Sequence, residues 1–150
     1  MAEPLHELAV ERLIAAPPAR VWQIMTERFT EWWCPRPWTT HIIELDWRAG
    51  GRCAMEMRGP DGEVSPIDGV VLEVIPERKF VFTNAFTAGW VPQKPFMVGI
   101  FTITPEGSGT RYHACARHWD EETMRQHDEM GFQQGWSTVA AQLAELAEAG

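Results

Sequence analysis

The feature that most constrains this chain is a change of hydrophobic period near Asp120. Between residues 38 and 119, apolar and polar residues alternate with a period of two, in runs cut by short turns. From Asp120 to about Glu148 the chain carries no proline and follows a helical period. A sheet with one apolar face has to be covered, and the C-terminal helix is the one long element available to cover it. The alternation predicts strands at 6–15, 38–47, 52–58, 66–75, 79–85, 96–104 and 110–119. Turns are expected at Ala49-Gly50-Gly51, Gly59–Gly62, Pro76–Arg78 and Glu106–Gly109, and a loop at 86–95. Pro17 and Pro18 end the first strand, and short helices are expected at Pro18–Met25 and Glu27–Trp33.

The expected inward sets are Cys53, Met55 and Met57; Val70, Leu72 and Val74; Phe80 and Phe82; and Tyr112, Ala114, Ala116 and His118. The inward face of 96–104 is left open. Glu44, Asp46, Arg52, Glu56, Arg58, Glu73, Arg111 and Arg117 fall on the outward faces. Asp120 suits an N-cap, followed by Glu121 and Glu122 at the positive end of the helix dipole. Read as one helix, 120–148 puts Met124, Asp128, Phe132, Gly135, Val139, Leu143 and Leu146 on one face, with Trp136 at its edge. Ala114 and Ala116 opposite Gly131 and Gly135 would permit close approach. The expected fold is α+β, an antiparallel sheet of about seven strands around a long C-terminal helix, with two short helices after the first strand.

A chain of 150 residues fits one domain, spanning 1–150. The net charge of −8 and singly scattered arginines argue against a nucleic-acid surface, which draws on clustered Lys and Arg. The first fourteen residues alternate rather than forming a basic start and an apolar run, so no signal peptide is read there. No stretch is apolar enough to span a bilayer. Cys34, Cys53 and Cys115 are isolated and odd in number, which favours a reducing, cytoplasmic setting over a disulfide framework.

Five segments carry a resemblance. They are APPARVW at Ala16–Trp22, EWWCP at Glu31–Pro35, ELDWRAGGRCAMEMRGPDG at Glu44–Gly62, FTNAFTAGW at Phe82–Trp90 and HDEMGFQQGW at His127–Trp136. In this order they resemble the helix-grip superfamily of START-like and polyketide-cyclase-like proteins. Within it, the chain is similar to bacterial relatives of the activator of the Hsp-ninety ATPase. The resemblance implies the helix-grip fold and an internal cavity. It leaves several functions open, because that superfamily contains lipid carriers, small-molecule binders, cyclases, hydrolases and chaperone regulators, and a fold does not transmit an activity.

The residues weigh these functions as follows. His113, Cys115 and His118 invite a metal reading, but in a strand His118 points away from the other two, so no metal and no cofactor is expected. Ser65, Ser108 and Ser137 lack an elbow motif, and Cys53 reads as a buried structural thiol. The glycine turns lie between strands, so no phosphate site is expected. Asp128 and His118 are the candidate acid–base pair of a cyclase- or hydrolase-type enzyme. Trp32, Trp33, Met55, Met57, Phe82, Phe86, Trp90, Phe132 and Trp136 are expected to converge with them on the cavity of a protein that binds a hydrophobic or aromatic small molecule. The alternative, that these side chains simply fill the space, stays open at this point. Chaperone regulation is the third reading and expects an apolar patch outside the sheet. The sequence leaves monomer and homodimer open.

Overall fold

The computed structural model describes residues 5–149; the part of the N-terminal reading that falls on residues 1–4 lies outside them. The chain opens with strand β1 (His6–Ile14), then helices α1 (Pro18–Glu27) and α2 (Phe29–Trp32). The strands β2 (Thr39–Leu45), β3 (Arg52–Arg58), β4 (Val64–Ile75), β5 (Lys79–Thr83), β8 (Val98–Glu106) and β9 (Gly109–His118) join β1 in a seven-stranded sheet. Its order is β1-β9-β8-β5-β4-β3-β2, and every pairing is antiparallel. Between β5 and β8, the segment expected as a loop folds into a two-stranded ribbon, β6 (Phe86–Thr87) and β7 (Val91–Pro92).

The concave face of the sheet holds the core. Pro18 occupies the first turn of α1, where its missing N–H costs nothing, and Val21, Ile24 and Met25 form the buried stripe. Phe101, inward from β8, stacks on Phe80, Phe82 and Trp136 at centroid distances of 4.7, 5.8 and 5.4 Å. This settles the inward face of that strand, with Ile103 beside Phe101.

Three local irregularities depart from strict periodicity. A register shift lies between Val71 and Glu73, so Val71 opposes Phe82 and Val74 opposes Phe80, both on the core side. Of the expected set, Val74 keeps its inward place, while Val71 takes the place of Val70 and Leu72, because one extra residue in a strand reverses which side chains face inward. A second shift, between Ile42 and Glu44, leaves Ile42 and Ile43 exposed on the edge strand. At Gly69 the strand passes so close to the Thr83 carbonyl oxygen that a Cβ would collide with it.

The third irregularity breaks the expected long helix. Asp120 does cap it, accepting a 2.8 Å hydrogen bond from the Thr123 N–H. The helix then stops after nine residues, giving α3 (Glu121–Glu129), and resumes as α4 (Phe132–Glu148). Gly131 sits between them at φ +96°, the left-handed region that side chains disfavour. Gly131 therefore separates two helices rather than easing contact with the sheet, and Gly135 lies near Pro35.

α4 lies against β1, flanked by α1 and α2, and buries Val139, Ala140, Leu143, Ala144 and Ala147. Its buried Gln142 has a separate role. The Gln142 amide nitrogen donates to the carbonyls of Trp32 (3.0 Å) and Cys34 (3.1 Å), and its oxygen accepts from the Arg36 N–H (2.9 Å). The chain after α2 is irregular, with Cys34 at φ +56°. Gln142 supplies the partners that regular structure would otherwise have given.

Two substitutions test these joints. Gln142→Leu keeps the volume but strands three backbone groups, and should lower the unfolding free energy by about 3 kcal/mol in urea denaturation. Gly131→Ala meets no neighbouring atom, so only backbone strain remains. Its cost should be about 1 kcal/mol in the same measurement.

Candidate functional site

Helices α1, α2 and α4 cover the β1-β9-β8 half of the sheet more fully than the β3-β4 half, and a cavity of about 700 Å³ lies in the gap. Its floor comes from the strands: Met57 on β3, Ser65 to Asp68 on β4, and Phe82 on β5. One wall is the irregular segment after α2, Trp33-Cys34-Pro35. The opposite wall is helical, with His127 from α3, Met130 beside the break, and Gly135, Trp136 and Val139 from α4. Asn84, Gln93, Lys94, Phe96 and Met97 close the end nearest the β6–β7 ribbon. The exposed residues of the lining, Pro66, Gln93, Lys94 and Met130, mark its mouth.

The wall is held by side chain to backbone bonds. Asn84 Oδ1 accepts from the N–H groups of Phe96 (2.8 Å) and Met97 (3.3 Å), and Thr83 Oγ1 donates to the Met97 carbonyl (2.9 Å). Gln93 donates to the carbonyls of Asp68 and Asn84, both at 2.6 Å. The irregular strap 84–97 is thus pinned to β4 and β5, which lets a non-repetitive segment line a cavity.

Of the residues expected at the site, Trp33, Met57, Phe82 and Trp136 line this cavity. Trp32 is fully buried in the core, donating from its indole N–H to the Met25 carbonyl at 3.2 Å. Met55 borders a separate gap of roughly 10 Å³ among Phe29, Trp47, Phe80 and their neighbours, too small for more than a water. Phe132 is packed against Trp136 and His127 in the core, at centroid distances of 4.5 and 5.1 Å. Phe86 and Trp90 meet each other in the β6–β7 ribbon, and Trp90 is 55% exposed; neither lines the cavity.

The acid–base pair needs correction. Asp128 is exposed and His118 is buried behind the wall, so neither of the two expected residues lines the cavity. The partner of His118 is the adjacent residue, His127, whose Nδ1 lies 2.9 Å from His118 Nε2. The cause is the break at Gly131. A continuous helix keeps His127 about 100° from the face of α4, whereas the break reorients α3 and turns His127 inward. His127 packs against Phe96, Phe132 and Trp136. Burial lowers its pKa to about 4, and the nearby His118 acts in the same direction. The ring is therefore neutral at pH 7.

The thiols are quiet. Cys53 faces the core, and burial, with the Asp68 charge, pushes it up to about 12. Cys115 lies on the other face of the sheet, where its thiol donates to the Glu7 carboxylate at 3.1 Å; burial and that carboxylate raise it to about 12. Neither is a thiolate at neutral pH, so neither is an activated nucleophile.

Among the described residues, no helix is long and apolar enough to cross a membrane. Among solved structures, the chain is similar to a protein from Nitrosomonas europaea at 36% identity, covering 95% of this chain and 94% of that one, with a TM-score of 0.90. A protein from Mycobacterium smegmatis is 25% identical over 95% of this chain and 96% of its own, with a TM-score of 0.78. A Silicibacter pomeroyi protein described as AHSA1 shares the fold at 23% identity and a TM-score of 0.73, covering 96% of this chain and 99% of that one. No curated protein matches the sequence. The family described as "Activator of Hsp90 ATPase homolog 1-like protein" matches residues 15–148, and the chain belongs to it.

Proposed function

We propose that this protein binds a hydrophobic or aromatic small molecule in the cavity between β3–β5 and the helices. The observation that carries this reading is the cavity itself. Its volume of about 700 Å³ falls in the range of pockets that enclose drug-sized ligands. Its lining is mainly apolar, with Trp33, Phe82, Trp136 and the adaptable Met57 and Met97 offering aromatic and polarizable surface. Proteins of this fold family commonly bind hydrophobic ligands.

The outer faces of the strands support the same preference. Arg52 pairs there with Glu44 and Asp68, Arg58 with Glu56, Arg111 with Glu106, and Arg117 with Glu7. Such a face suits solvent better than a broad apolar protein contact.

Two measurements test the reading. Titration of tryptophan fluorescence with a panel of lipids, flavonoids and polyketides should give saturable quenching with at least one class; a flat response to all of them would count against it. Gly135→Leu should then separate cavity binding from surface binding. Gly135 lies on α4, and a Cβ there meets only Pro35 at 3.7 Å. A leucine would project into the cavity without disturbing the helix. Ligand affinity should fall at least tenfold, while the melting temperature stays at or above that of the parent chain, because glycine is the poorer helix former.

A further inference from the structure

His127, in the cavity wall, ends a hydrogen-bond relay that runs behind the wall through His118, and its direction is set at the far end. His6 lies opposite His118 in the β1–β9 ladder, and the His6 carbonyl oxygen is 3.0 Å from His118 Nδ1. A carbonyl only accepts, so that nitrogen carries a proton. In neutral His118, Nε2 is then a bare lone pair, and its neighbour at 2.9 Å is His127 Nδ1. His127 donates to it, which places the proton of the neutral His127 ring on Nδ1 and leaves Nε2 bare. That is the minority tautomer of a free histidine, selected here by the second ring and the backbone behind it.

His127 lines the cavity, and its Nε2 is on the side of the ring away from His118. It has no hydrogen-bond partner among the described residues. Trp33, 7% exposed and on the cavity wall, adds a second unpaired polar group: its buried indole N–H has no acceptor among the described residues. The sealed Trp33 N–H is costly to leave unpaired, whereas His127 Nε2 stays accessible from the cavity and would exchange water for a guest's donor. A ligand whose polar atoms only accept, such as an ether or a ketone, would set lone pair against lone pair at His127.

We infer that the cavity selects ligands carrying a hydroxyl on an apolar or aromatic body, the hydroxyl donating its proton to the bare Nε2 of His127 while His118 and the His6 carbonyl hold that nitrogen as an acceptor. This rests on the cavity being a binding site and specifies the polar chemistry of its ligand. His127 touches the ligand; His118 is a positioning residue.

The test uses one aromatic body with and without the donor, 1-hydroxypyrene and 1-methoxypyrene, followed by pyrene fluorescence. The parent protein should bind 1-hydroxypyrene about tenfold more tightly, the factor expected for one hydrogen bond. His127→Phe, which keeps a ring in the aromatic cluster, should bring the two probes to parity by weakening the hydroxylated one. Equal binding of both to the parent protein, or a preference that survives His127→Phe, would overturn the inference and leave the binding reading standing. No binding of either would overturn both. Nitrogen NMR of the parent protein's imidazoles at neutral pH supplies a readout that needs no variant. His127 should be protonated at Nδ1, with its Nε2 resonance moving when 1-hydroxypyrene is added; a proton on Nε2 sinks the proposal.

Discussion

Gln142, on α4, anchors the end of α2 and the irregular segment that follows it. The stretch after α2 makes no helix or strand ladder, yet the carbonyls of Trp32, at the end of α2, and of Cys34, with the N–H of Arg36, come to rest against a helix over a hundred residues further on. One amide side chain satisfies all three. Without such a partner, burying this backbone would be unfavourable and the segment would be driven toward solvent. Trp33, Cys34 and Pro35 form a cavity wall because that backbone is held. Thr40 reinforces the arrangement by donating to the Trp33 carbonyl at 2.8 Å.

Polar bonds to backbone recur wherever the cavity is bounded by something other than a strand or helix. Asn84, Thr83 and Gln93 do for the strap 84–97 what Gln142 does for the segment after α2. The apolar lining supplies contact surface, while these few polar side chains fix where it stands. The cavity persists because the backbone groups of these two irregular segments have their own partners and gain little by collapsing into the space. Beyond the cavity, Phe101 stacks on Phe80, Phe82 and Trp136, and a gap of roughly 10 Å³ lies beside Met55.

The fold was largely legible in the sequence because its strands repeat. Cys53, Met55, Phe80, Phe82, Tyr112, Ala114 and Ala116 point inward as alternation demands. The order of elements also follows from alternation, proline positions and turns. Failures came where one residue interrupts a period. The register shift at Val71/Glu73 reverses the face of β4 beyond it, and no residue type in Leu72-Glu73 announces a shift. Gly131 was visible, and its position between the polar stretch 121–129 and the apolar-periodic stretch 132–147 was the available signal for a helix break. Reading 120–148 as continuous carried Asp128 to the inner face and His127 off it, so the site's histidine pair was missed by a single position. Trp33, Met57, Phe82 and Trp136 were legible as cavity-lining aromatics and methionines. The strap residues were not, because their placement depends on long-range side chain to backbone bonds that leave no periodic trace.

The break at Gly131 also divides the C-terminal region into parts of unequal anchorage. α4 buries seven side chains, whereas α3 buries His127 alone. Because α3 has so little apolar surface to lose, its undocking should require far less free energy than global unfolding. His127 and the adjoining Met130 belong to the cavity wall, so a guest could enter by displacing this short helix while the sheet and α4 keep their packing. Were a guest bound there, its exchange and the stability of the fold would be governed by different helices.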